Sequence, residues 1–340
     1  MKKTALHVAL LIILLSLDSL SNTQAQSVRE KPSSNISAGK KLKEALEKVQ
    51  KQPTSSEAYI NLGNAYARLR RVDEAIAAFK QAIRLRPDHE EAYFSLGNYY
   101  DWLTLTSKEG SKIQNQYATA ALEIYKQIVR LNPDNAQAHF KLGESYEELK
   151  RNDEAIEAYK IAINSNAAND RAYFKLGRMY LDKVQSAKLS DAKSIRLVYS
   201  SELRNAINAF LQSVRIKPDA YTYSKLGQTY QLLGDYNNAI GAYKNSISHP
   251  SKDEVLKESI ELEVYQRLLD IFIETNELAR GEEILSQLVR ENPNSSYGHY
   301  TLGRLYIHAD NKSAALKEYK LLKRLKPSYL ANFLFDSIYR

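Results

Sequence analysis

"RAYFKLGRMY", Arg171 to Tyr180, recurs along the chain. Near-copies are "EAYFSLGNYY" at Glu91–Tyr100 and "QAHFKLGESY" at Gln137–Tyr146, with looser versions, "EAYINLGNAY" from Glu57 and "YTYSKLGQTY" from Tyr221. The glycines of the set are Gly63, Gly97, Gly143, Gly177, Gly227 and Gly303. Gly63 and Gly97 stand 34 residues apart, as do Gly143 and Gly177; the wider gaps are that interval plus insertions, with Leu269 in the place of one missing glycine. A fixed period of this size marks stacked supersecondary units. Within the opening decamer Tyr173, Leu176, Gly177 and Tyr180 follow spacings of three and four, which place them on one helical face. Gly177 has no side chain, so a partner helix can approach it closely. Each decamer is followed by a second helical segment, such as "VDEAIAAFKQAIRLRP" ending at Pro87. One hairpin cannot bury such a stripe alone, so neighbours must stack.

The unit Tyr59-x2-Leu62-Gly63-x2-Tyr66, followed by Ala75, Phe79, Ala82 and Pro87, resembles the tetratricopeptide repeat (TPR). The resemblance implies an all-α fold, a right-handed superhelical solenoid of helix–turn–helix units. Seven units fit residues 56–327, at about 56–89, 90–135, 136–169, 170–219, 220–251, 262–295 and 296–327. Extra residues fall near 101–117, 181–203 and 252–261, and the first two stretches retain helical patterning. The pattern loosens in the sixth unit, where Leu269 and Gly281 replace the small residues Gly and Ala. Residues 26–55 read as a disordered lead over Val28–Ser37 and an N-terminal capping helix with Leu42, Ala45, Leu46 and Val49 inward. Residues 328–340 read as a C-terminal capping helix, apolar most of the way round. Its Phe333, Leu334, Phe335 and Ile338 are candidates for docking a partner or a second copy, or for filling the end of the seventh unit.

The first 25 residues have the form of a secretory signal peptide: Lys2 and Lys3, an apolar run from Ala5 to Leu17, and a small-residue cleavage site ending at Ala25. No later stretch is apolar enough to span a bilayer. With no Cys in the chain there is no disulfide, thiolate zinc site or Cys nucleophile. An exported chain without disulfides points to a bacterial periplasm or exterior. The net charge of +8 falls by one on removal of the signal. A moderately basic exported protein suits an acidic partner or surface rather than nucleic acid.

No catalytic motif is found. The six His include no pair at metal-ligand spacing, and no P-loop, G-x-S-x-G, H-E-x-x-H or dinucleotide fingerprint occurs. Acidic pairs such as Asp73-Glu74 and Asp153-Glu154 open second helices, where they favour the positive end of the helix dipole. The chain therefore reads as a non-enzymatic binding protein with no cofactor, no metal and no catalytic residues.

Specificity must then sit on the face opposite the stripe. Advancing 100° per residue puts positions 2, 5, 6 and 9 of each first helix there, and in TPR proteins that face lines the concave groove. Asn61, Asn64, Phe94, Asn98, Phe140, Lys141, Arg171, Phe174, Lys175, Arg178 and Lys225 fall on it. Phenylalanines beside a line of cations predict capture of an acidic, partly apolar protein segment by a cell-envelope scaffold. The alternative is an accessory subunit of an envelope polymer machine (pilus, secretion or polysaccharide export) that docks through its C-terminal helix and insertions. Mass spectrometry of the protein expressed in a bacterium should show a mature chain beginning at Gln26; a chain retaining residues 1–25 would exclude cleavage.

Overall fold

The computed structural model describes residues 32–187, 191–325 and 329–339. The expected signal peptide lies outside them. The described residues form sixteen helices and no strand, and the chain divides into two compact units, residues 1–133 and 134–340.

The first unit holds α1 (Pro32–Lys51), α2 (Ser56–Arg68), α3 (Val72–Leu85), α4 (Glu90–Thr106) and α5 (Lys112–Leu131). The second holds α6 (Ala136–Glu148), α7 (Asn152–Ser165), α8 (Asp170–Gln185), α9 (Ala192–Ile216), α10 (Ala220–Leu233), α11 (Tyr236–Ser248), α12 (Glu254–Glu274), α13 (Leu278–Glu291), α14 (Ser296–His308), α15 (Lys312–Leu322) and α16 (Tyr329–Tyr339). Of the extra residues near 101–117, 181–203 and 252–261, residues 101–106 and 112–117 lie in α4 and α5, 181–185 and 192–203 in α8 and α9, and 254–261 at the start of α12. α1 begins at Pro32, inside the stretch read as a disordered lead. On α1 Ala45 is buried against Leu62 and Ala65, with Leu42 and Val49 partly so, while Leu46 is 40% exposed and does not face inward.

Local chemistry sets where the first helices start. Ser55, Asn135, Asn169, Asp219 and Ser295 each accept, through a side-chain oxygen, the backbone N–H three residues on. Such a cap satisfies one orphaned amide and is worth about 1 kcal/mol. The turn inside each short hairpin uses one left-handed residue, at Arg70, Lys150, Gly234, Asn276 and Asp310. Only Gly234 adopts that conformation without steric cost.

The repeated glycine is where the second helix inserts an aromatic ring. A methyl group on Gly63 would stand 2.5 Å from the Phe79 ring, and one on Gly143 2.5 Å from Tyr159. Gly97 faces Tyr125, Gly177 faces Phe210 and Gly227 faces Tyr243 in the same way. These five rings are almost wholly buried. The sixth hairpin inverts the arrangement. Leu269 takes the glycine position, and Gly281, on α13, leaves room for Phe272 of α12, at 2.8 Å from a would-be methyl. In the seventh, the C-terminal helix supplies the plug: Leu334 of α16 comes within 2.5 Å of a methyl on Gly303.

This corrects part of the docking expectation. Leu334 and Ile338 are buried at 0% and 3% exposure with Leu330 and Ala331, because they close the end of the last hairpin. Phe333 and Phe335 point elsewhere and stay over a third exposed, Phe335 lying 5.3 Å from the Tyr319 ring.

His299, buried on α14, occupies a position where five of the other six units have Tyr. Its Nδ1 donates to Glu318 at 2.6 Å and its Nε2 to the Pro293 carbonyl at 3.0 Å, so both nitrogens carry protons in this arrangement. Burial alone would push the imidazole down, but the Glu318 hydrogen bond, the Pro293 carbonyl and the Glu318 charge together raise it above its ordinary value. A raised folded-state pKa means the contribution is fully present below about pH 6.5 and is lost as pH rises through the raised value. Thermal melts of the wild type should fall relative to His299→Gln across that window; parallel curves would remove the assignment.

Two glycines separate packing from propensity. Gly143→Ala should destabilise by about 1–2 kcal/mol, since overpacking against an immobile Tyr159 costs about 1–3 kcal/mol and exceeds the helix-propensity gain. Gly241→Ala, on α11 with nothing within 4 Å, should stabilise by about 0.5–1 kcal/mol. Chemical denaturation of both variants checks the pair of signs.

Candidate functional site

In the second unit the groove residues come from α6, α8 and α10, successive first helices of neighbouring hairpins. Phe140 is 5% exposed, its ring 5.7 Å from that of Tyr159 on α7, with the Arg171 guanidinium 4.8 Å above it. Phe174, partly buried, sits between Phe210 of its own hairpin at 5.9 Å and Tyr221 of the next at 5.6 Å. These rings fill the joints between helices. They are not an open aromatic face.

The cations are interleaved with carboxylates. Lys141 donates to Glu144 at 2.9 Å, and Arg171 reaches the other Glu144 oxygen at 3.5 Å. Lys175 donates to Glu147 at 3.0 Å and lies 4.0 Å from Glu144. Arg178 pairs with Glu147 and, at 3.7 Å, with Asp182. The Tyr159 hydroxyl also donates to Glu147, at 2.9 Å. Farther along, Lys225 and Arg267 share Glu263, at 3.4 Å and 3.0 Å.

Partial burial shapes these charges. Desolvation pulls the Lys175 ammonium down despite Glu144 and Glu148 beside it, and desolvation raises the Asp182 carboxyl against the pull of Arg178. Burial would raise Glu263 too, but Lys225 and Arg267 hold it below its usual value. Arg171 is the least committed member: its side chain is 69% exposed and shares Glu144 with Lys141 and Lys175.

Beside Arg171 opens an apolar pocket of about 370 Å³, walled by Phe174, Tyr221 and Leu256, with Asp170 and Asp219 at its edge. Leu256 belongs to the lengthened start of α12 and is 43% exposed. Position counting missed it, because it precedes the repeat; the signal was the apolar pair Val255-Leu256 inside the extra residues near 252–261. Glu263 was findable, since it occupies position 2 of its unit.

In the first unit Phe94 packs 6.3 Å from Tyr125, and the Tyr125 hydroxyl donates to Asn98 at 3.1 Å. Asn61 and Asn64 are exposed and line a separate cleft against α1. Among the described residues no three His, Cys, Asp or Glu side chains converge to hold a metal ion, and no helix is long and apolar enough to cross a membrane.

Helical hairpins stacked through a glycine–aromatic contact at a 34-residue period define a helical-repeat protein. The chain is a tetratricopeptide-repeat protein: residues 220–248 match the tetratricopeptide repeat itself, and residues 20–173 match the TPR domain of cytochrome c-type biogenesis protein H. Among solved structures it is similar to the MamA protein, at 24% identity over 57% of this chain and 90% of that one, with a TM-score of 0.45. YrrB, described as a TPR protein with an unusual peptide-binding site, aligns at 16% identity over 62% of this chain and 94% of its own, TM-score 0.45. Pseudomonas aeruginosa pilF aligns at 15% identity over 83% and 96%, TM-score 0.44. No curated protein matches the chain.

Proposed function

We propose that this chain is a non-catalytic scaffold of the cell envelope that holds an acidic, partly apolar segment of another protein on the first-helix face of residues 134–340. The observation that carries the reading is the pairing of the Phe174–Tyr221–Leu256 pocket with an adjoining charge network whose exposed member is a cation, Arg171. Lys141, Lys175 and Arg178 are held by Glu144, Glu147, Glu148 and Asp182, while the Arg171 side chain stays 69% exposed. A partner's apolar side chain fills the pocket while its neighbouring carboxylate takes Arg171, the cation with least to lose. The other pairs hold their side chains in place before a ligand arrives, which lowers the ordering cost of binding. No cofactor is needed for this role. The export pattern of residues 1–25 and the match of residues 20–173 to a cytochrome c-type biogenesis repeat domain support the envelope location.

Selection of a displayed random-peptide library on the intact chain tests the assignment. The selected peptides should combine acidic with apolar residues, and the Arg171→Glu/Leu256→Asp double variant should bind them at least about tenfold more weakly, about 1.4 kcal/mol. A selected set without acidic residues, or unchanged binding by the double variant, would overturn it.

A further inference from the structure

The last two helices carry cations that no carboxylate offsets. In and beside α3, α5, α7 and α13, second helices of their hairpins, a cation pairs with a carboxylate three residues away: Arg71 with Glu74, Lys126 with Glu123, Arg151 with Glu154, Arg280 with Glu277. α15 departs from this pattern. Its one carboxylate, Glu318, is taken by His299. Among the described residues Lys317, Lys320, Lys323 and Arg324, in and just after α15, are exposed and pair with no carboxylate.

Aromatic rings adjoin these cations. α16 packs on α14 and α15, and on its flank beside α15 Phe335 and Tyr339 stay exposed, their rings 4.6 Å apart. Phe335 lies 5.3 Å from the Tyr319 ring, and the Lys323 ammonium lies 5.6 Å from the centre of that same ring. Tyr339, Phe335, Tyr319 and Lys323 thus form one continuous band. Lys320 and Arg324 border it, each one residue past Tyr319 or Lys323 and so about 100° farther round the helix. Asp336, the acidic residue of α16, comes seven residues after Tyr329 and shares that residue's face, away from Phe335.

We propose that this band docks the chain on an anionic lipid surface, lying on it rather than crossing it. Tyrosines with an apolar body and a wet tip, beside Lys and Arg whose stems reach toward headgroup phosphates, suit a membrane interface. Each cation near an anionic leaflet adds to the attraction. A lipid surface requires no fixed register, which matches cations that no internal carboxylate holds in place. A second copy fits less well, because a two-fold contact would bring these cations toward their own copies. The biological use of the band rests on the envelope location proposed above; vesicle binding itself does not.

Co-sedimentation of residues 26–340 with vesicles tests the assignment, since this piece keeps every described residue and lacks the apolar run of residues 5–17. It should pellet with phosphatidylcholine–phosphatidylglycerol vesicles, less so as salt is raised, and stay in solution with phosphatidylcholine alone. Lys320→Glu/Lys323→Glu should lower the partition coefficient at least about tenfold, as two attractive charges become repulsive. Phe335→Ser/Tyr339→Ser, which leaves the buried Leu334 and Ile338 in place, should lower it too. Arg171→Glu/Leu256→Asp should leave it unchanged, so this surface and the peptide site above stand or fall separately. No binding to the anionic vesicles, or equal binding by the lysine variant, would overturn the proposal. So would a dimer in light scattering that the Phe335/Tyr339 variant dissolves, or release from the vesicles by a small excess of oligoglutamate, which would mark an acidic protein as the occupant.

Discussion

A bare α-carbon facing an aromatic ring is the contact from which the hairpins are assembled. At Gly63, Gly97, Gly143, Gly177 and Gly227 any side chain would occupy space already taken by Phe79, Tyr125, Tyr159, Phe210 or Tyr243. Close packing leaves no slack to absorb the difference. The ring fixes how near the second helix lies and how far along the first it is registered, and the next hairpin then finds a surface of defined shape.

The two departures obey the same constraint with the roles redistributed. In the sixth hairpin the void moves to the second helix, where Gly281 admits Phe272 from the first. In the seventh the ring at the usual place, Tyr319, turns to Phe335, and Leu334 of the C-terminal helix fills the space over Gly303. A solenoid end would otherwise leave an apolar stripe in water. Here the terminal helix covers it with Leu330, Leu334 and Ile338 and leaves Phe333 and Tyr339 outside.

The stripe was legible in the sequence because its residues lie within one turn or two of each other, where helical periodicity is a reliable ruler. The seven hairpins, their lengthened members and the two end helices follow from it. The groove was only half legible. Rotating a helix wheel sorts residues into inside and outside, but first helices here also contact one another: α6 meets α8 through Phe140 and Arg171, and α8 meets α10 through Phe174 and Tyr221. Phe140 and Phe174 therefore point neither into the stripe nor into solvent; they seal the joints. The cations were identified, yet their partners were not, because Arg171–Glu144, Lys175–Glu147 and Lys225–Glu263 join residues 27, 28 and 38 apart. Local spacing has no access to pairs of that separation. The cleft against α1 was half seen for a similar reason: Asn61 and Asn64 carried the repeat pattern, whereas Lys41 and Lys48, which line the cleft from α1, lie outside it.

α9 is interrupted at Tyr199, which has φ of −114° and ψ of 20°, and the segment before this bend reaches beyond its own hairpin. It leans on the following one. Arg196 donates to the Leu232 carbonyl at 3.1 Å and to the Tyr236 hydroxyl at 3.2 Å, and its guanidinium lies over Gly234, whose φ is +84°. Tyr236 in turn donates to Glu274 at 2.8 Å, on the hairpin after that. In a linear array each repeat is stabilised by its immediate neighbours, and openings can start at any seam. A strut of this kind ties three consecutive repeats together, so this part of the chain should open as a larger cooperative block than the repeat length alone would set.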